Sequence, residues 1–112
     1  MFDWQLNLKW FLDTTLLADI FVDLNQQQIK VVNYTDNDIL RPFGNIENPN
    51  WDDFEKFLES RCFPQNRHNL KKLLKSYGLP GYDPLTQVEF FEGRTAEDPM
   101  HIQFIRKGDI PA

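Results

Sequence analysis

The sequence predicts an α+β domain in which a small antiparallel sheet packs on a helical hairpin. The sheet is an N-terminal three-stranded meander plus a C-terminal strand. Three observations predict this. Residues 6–34 hold short runs that alternate between two faces. Residues 51–77 repeat apolar side chains at helical spacing. Residues 101–105 return to alternation, with Ile102 and Phe104 facing one way. One domain is expected over 1–112: a meander at 6–34, a loop at 35–50, a helical hairpin at 51–78, and a segment at 79–112 holding a short helix or strand, a loop and the terminal strand.

The first strand sets Leu6, Leu8, Trp10 and Leu12 against Asn7, Lys9 and Phe11, and Asp13-Thr14-Thr15 forms a turn. The second sets Leu16, Ala18, Ile20, Val22 and Leu24 against Leu17, Asp19, Phe21 and Asp23. Asn25 to Gln28 turn the chain into a β-branched third strand, Ile29 to Tyr34. Short links make these three an antiparallel meander. Phe11 and Phe21 fall on the otherwise polar face, which calls for a covering element or a partner.

Residues 35–50 are rich in Asp, Asn, Pro and Gly, a long connection for a compact domain and hence a candidate binding loop. Asn50 can cap the helix that follows, with Asp52 and Asp53 favoured in its first turn by the helix dipole. Trp51, Phe54, Phe57 and Leu58 form its apolar face. A turn at residues 62–66 leads to a second helix with Leu70, Leu73, Leu74 and Tyr77 on one face and Gly78 as its stop. Trp51, Phe54, Leu58, Leu70, Leu73 and Leu74 are expected in the core. Asp83-Pro84 opens a short helix, ended by Gly93, although Val88, Phe90 and Phe91 suit a strand as well.

The chain of 112 residues is 41% hydrophobic, with ten Phe, so it folds rather than remaining disordered. Its net charge of −5 argues against nucleic-acid binding by the whole surface. Cys62 is the single cysteine, so no internal disulfide can form, which fits a reducing cytoplasm. No basic region leads into an apolar run at the N-terminus, and no apolar run is long enough to span a membrane.

Enzyme chemistry finds little support. Cys62, His68 and His101 are too few and too irregularly spaced for a metal site. Cys62 with His68 could make a nucleophile and base, but a lone cysteine closing an apolar helix is more often a small buried hydrophobe. No serine elbow and no glycine-rich phosphate loop is present. No catalytic residue and no cofactor is expected. A binding role has more to draw on. The one basic cluster joins Lys71, Lys72 and Lys75 with Arg61 and Arg67. It reads either as a solvated face or as a surface for an anionic partner. Arg61 and Arg67 have a structural reading too, as partners of Asp83 or Asp98. Phe11, Phe21, Phe43 and Phe63 exceed what the assigned core faces easily absorb, and aromatics at a surface anchor interfaces; the alternative, in a chain with ten Phe, is that all four rings are core. The candidate partner-binding residues are Phe43, Phe63, Arg61, Arg67, Lys71 and Lys75.

The order of parts carries a resemblance. The meander contains LLADIFVDLNQQQIKVV, a loop with RPFG follows, then FLESRCFPQNRHNL, and EDPMHIQF near the end. This is similar to the small N-terminal subdomain of HipA-type toxin kinases. That subdomain combines a short antiparallel sheet, a loop like Pro42-x-Gly44, an arginine-x-x-proline-x-x-arginine hairpin matched by Arg61, Pro64 and Arg67, and an Asp matched by Asp98 before an aromatic-rich strand. Met100-His101 departs from the aromatic pair common there. The resemblance covers about residues 6–105 and includes none of the kinase's catalytic part. It implies a HipS-like small protein of a toxin–antitoxin system, free of enzymatic activity, whose partner is a HipA-like kinase. The other expected partner class is a host defence protein, bound by an inhibitor of anti-CRISPR or anti-restriction type from a mobile element.

Overall fold

The computed structural model describes residues 1–62, 67–79 and 81–109. Among these residues, four strands form one antiparallel sheet: β1 (Leu6–Leu12), β2 (Thr15–Asp23), β3 (Gln28–Asn33) and β4 (Met100–Arg106), in the order β3-β2-β1-β4. Between β3 and β4 the described residues form three α-helices: α1 (Trp51–Ser60), α2 (Leu70–Ser76) and α3 (Pro84–Phe91). The α+β class, the meander and the added C-terminal strand are all present. Among the described residues no helix is long and apolar enough to cross a membrane.

Alternation decides which face of the sheet is core. Leu6, Leu8 and Trp10 of β1, Ala18, Ile20 and Val22 of β2, and Ile102 of β4 are buried together with Phe54, Phe57 and Leu58 of α1 and Val88 of α3. α1 and α3 therefore cover this face. The alternation breaks at one point. Trp10 pairs with Ala18 but Phe11 pairs with Leu16, so a bulge leaves Leu17 without an opposite residue. Leu16 thus shares the face of Phe11, while Leu17 is buried in the core, the reverse of a strict period of two. The bulge also serves pairing, since the Leu17 carbonyl accepts the Tyr34 amide at 2.8 Å. Leu24 lies past the end of β2 and is exposed.

On the opposite face, Asp19 is the hub. It accepts hydrogen bonds from Lys9 Nζ at 2.9 Å, Asn7 Nδ2 at 3.2 Å and the Tyr34 hydroxyl at 2.6 Å. Burial pushes its carboxyl up, but those three donors and the Lys9 charge outweigh burial and hold it below its ordinary value. The two surplus rings here have partners. Phe11 stacks on His101 at 5.0 Å, and Phe21 meets Trp4 edge-on at 5.3 Å.

The 35–50 connection is tied down. Trp10 Nε1 donates to the Leu40 carbonyl at 2.9 Å, and Arg41 Nε to the Thr35 carbonyl at 2.8 Å. α1 then starts with a reciprocal capping box: Asp53 N donates to Asn50 Oδ1 and Asn50 N to Asp53 Oδ2, both at 2.9 Å. α3 has proline at its start, as expected, but the Asp83 carboxylate accepts the Thr86 hydroxyl instead of a backbone amide. Its end is dictated by Gly93, whose φ is +63° and where a Cβ would come within 2.7 Å of Ile102 Cδ1. The Ile102 amide donates to the Glu92 carbonyl at 2.7 Å, so this tight exit docks α3 on β4.

α2 is set apart. Leu70 and Leu74 bury with Leu79 in a second cluster, against which Tyr82 and Phe91 pack. Leu73, expected in the core, is half-buried, and Tyr77 is exposed at the helix end. Of the turn expected at residues 62–66, residues 63–66 lie outside the described residues.

Candidate functional site

The six residues singled out from sequence meet different fates. Phe43 is a correction: it is core, not contact. Its ring sits 5.3 Å from Phe57 and only 9% of the residue is exposed, in a loop that Trp10 of β1 holds at Leu40. Phe63 lies outside the described residues, as does Pro64.

Arg61 closes α1 and turns inward, where its stem is buried. Nη1 and Nη2 form a two-pronged pair with the Asp98 carboxylate at 2.8 and 2.9 Å. Nε donates to the Gly93 carbonyl at 2.8 Å, and the guanidinium lies 4.9 Å from the centre of the Trp10 ring. One side chain thus joins the end of α1, the exit of α3, the approach to β4 and the centre of β1. Asp98 is held below its ordinary pKa, first by the hydrogen bonds from Arg61, against burial, with help from the Met100 amide. Of the two acidic partners considered for Arg61, the structure selects Asp98. This corrects Arg61 as a contact residue, since its donors are committed internally.

Arg67, by contrast, is exposed and not partly buried. It joins Lys71, Lys72 and Lys75 around a groove of about 980 Å³. Leu70, Leu74, Leu79 and Tyr82 supply the apolar part of the lining, and among the described residues no Asp or Glu contributes to it. The helix LKKLLKS makes this possible: its leucines at i and i+4 turn into the small cluster and leave the lysines on the rim. Three of the six candidates, Arg67, Lys71 and Lys75, therefore converge.

Sequence reasoning missed a second surface. Tyr77 and Phe90 are 43% and 51% exposed, and with Phe91 they form a triangle of rings with centroids 4.9 to 6.0 Å apart. The signal was the Phe-Phe pair on α3. Adjacent residues on a helix point about 100° apart, so when Phe91 packs inward Phe90 must face out.

Chemistry of a nucleophilic kind is poorly served. The Cys62 thiol donates to the Pro84 carbonyl at 3.5 Å, and burial, then the charges of Glu59 and Asp83, push it up to about 12. Almost no thiolate exists at neutral pH. Among the described residues, no group of three or more His, Cys, Asp or Glu is gathered to hold a metal. Comparison with protein-family models, with curated proteins and with solved structures finds no match.

Proposed function

We propose that this chain is a non-catalytic protein-binding module that binds and regulates a HipA-like kinase, in the manner its resemblance to that family's N-terminal subdomain implies. The observation that carries the reading is the exposed pair Tyr77 and Phe90, set against the half-buried ring of Phe91. Rings held in place by one another lose little freedom on binding, and large aromatic side chains at a surface are the usual anchors of protein interfaces. The pairing of Arg61 with Asp98 supports the resemblance, because it links its arginine hairpin to its acidic turn.

The test uses the full chain and a HipA-like kinase encoded in the same genome. Complex formation is followed by calorimetry, with Tyr77→Ala/Phe90→Ala as the interface variant. Both side chains are exposed, so the variant keeps its fold. The reading expects a complex with the unaltered chain that weakens at least about tenfold in the variant, the loss typical of a central aromatic anchor. No complex, or one indifferent to the variant, defeats the kinase reading. Capture of a host defence protein in its place would move the chain to the inhibitor class. Turnover by the purified chain alone would overturn the non-catalytic claim.

A further inference from the structure

The cations of this protein are unevenly satisfied. Lys9 pairs with Asp19, Lys56 with Asp52 and Lys107 with Asp3, while Lys30 lies 4.6 Å from the centre of the Phe2 ring. Arg41, Arg61, Arg94 and Arg106 each meet a carboxylate. Among the described residues, Lys71, Lys72 and Lys75 meet none within 4 Å. α2 itself carries no acid to offset them. Among the described residues, a chain of net charge −5 thus gathers three lysines without a carboxylate partner on one short helix. That charge rims a groove whose other walls are Leu70, Leu74, Leu79 and Tyr82.

We infer that the α2 groove receives an acidic amphipathic segment of a partner protein. Apolar side chains of that segment lie along the leucines and Tyr82. Its carboxylates meet Lys71, Lys72 and Lys75 on the rim. The apolar walls argue for a peptide over a nucleic acid, because a phosphate backbone uses cations alone and leaves leucines without a counterpart. The net charge argues the same way. A long polyanion is repelled by the rest of this acidic surface, whereas a short segment engages only the basic rim. The inference rests on the reading of the chain as a protein-binding module and adds the chemistry of what it binds.

The probe is a short labelled peptide with leucines at i, i+3, i+4 and i+7 and glutamates between, titrated into the full chain by fluorescence anisotropy. Its controls are a scrambled peptide of the same composition, polyglutamate and a single-stranded DNA oligonucleotide. The patterned peptide is expected to bind at least about tenfold tighter than any control, since pattern and charge must both match. Lys71→Glu/Lys75→Glu should remove binding, and the neutral Lys71→Gln/Lys75→Gln should weaken it, with melting curves confirming that both fold. Equal binding of scrambled peptide or polyglutamate overturns the inference, as does preference for DNA, self-association displacing the peptide, or no binding at all. The kinase titration with Tyr77→Ala/Phe90→Ala reads the ring triangle instead. If the kinase binds and the peptide does not, the groove falls and the module stands; the opposite pattern fells the kinase reading and leaves the groove.

Discussion

The sheet with α1 and α3, and the α2 region, are built to different standards. Among the described residues, thirteen buried apolar residues form the first cluster and three the second. The first is sealed by a capping box, a partly buried two-pronged ion pair and a glycine that no other residue can replace without displacing Ile102. α2 has seven residues, an N-cap residue, Asn69, in the left-handed region without a side-chain cap hydrogen bond, and lysines that meet no acid among the described residues. Opening free energy follows buried apolar contact, so the two regions should differ in stability as well as in chemistry. The lesson is a division of labour. Residues that specify the fold are spent inside the first region, and those left over for recognition collect on the second.

The largest effect expected is in the first region. Phe54→Ala removes a ring that is 1% exposed and should cost about 3–5 kcal/mol in urea unfolding. A cost below about 1 kcal/mol would mean that α1 is not part of the main core. Arg61→Ala comes next, at about 3 kcal/mol. It sits at the low end for a broken buried pair because the Asp98 side chain keeps 35% of its exposure. If Arg61→Ala leaves stability unchanged, the residue is not a lock.

Smaller effects are expected in the second region. Leu74→Ala should cost about 2 kcal/mol, the low end for its class, because a cluster of three can collapse onto the space. Leu73→Ala, at a half-buried position, should cost less than about 1 kcal/mol. Equal losses at Leu73 and Phe54 would erase the distinction between regions.

Acid sharpens the comparison further, because Asp19 and Asp98 both belong to the first region. Each has a folded pKa below the model-peptide value of 3.8, so the unfolded chain binds more protons as pH falls. Their contribution is complete above about pH 5 and is lost as pH drops through about 4 and below. Asp98→Asn should be less stable than the parent at pH 7 and should lose less between pH 7 and 3. A steeper acid loss in the variant would contradict this assignment. Cys62 makes the mirror-image prediction. Its thiol is raised from 9.0 to about 12, so its contribution is present below pH 9 and fades above it. Iodoacetamide at pH 8 should label it slowly in the folded chain and readily in urea.

What was legible in the sequence was whatever depends on local period and local chemistry. The alternation around Leu8 and Ile20, the Asn50 cap and the glycine stop at Gly93 are of this kind. The pairing of Arg61 was legible in part, since Asp98 was one of the two carboxylates considered for it. The bulge at Leu17 was not, since it is set by pairing with β1 and β3. The inward turn of Phe43 was not, since it depends on a tryptophan thirty residues earlier donating to Leu40. The candidate site was half legible. The lysines stood out as a cluster, but the ring triangle required knowing that α3 is a helix whose end meets the end of α2.

Native-state hydrogen exchange tests the central claim most directly, since it reads both regions in one sample. The amides of Leu73 to Ser76 should exchange through local opening, well before those of Leu8, Ile20 and Ile102, which should wait for global unfolding. Exchange of α2 together with the sheet, at a single opening free energy, would contradict the account.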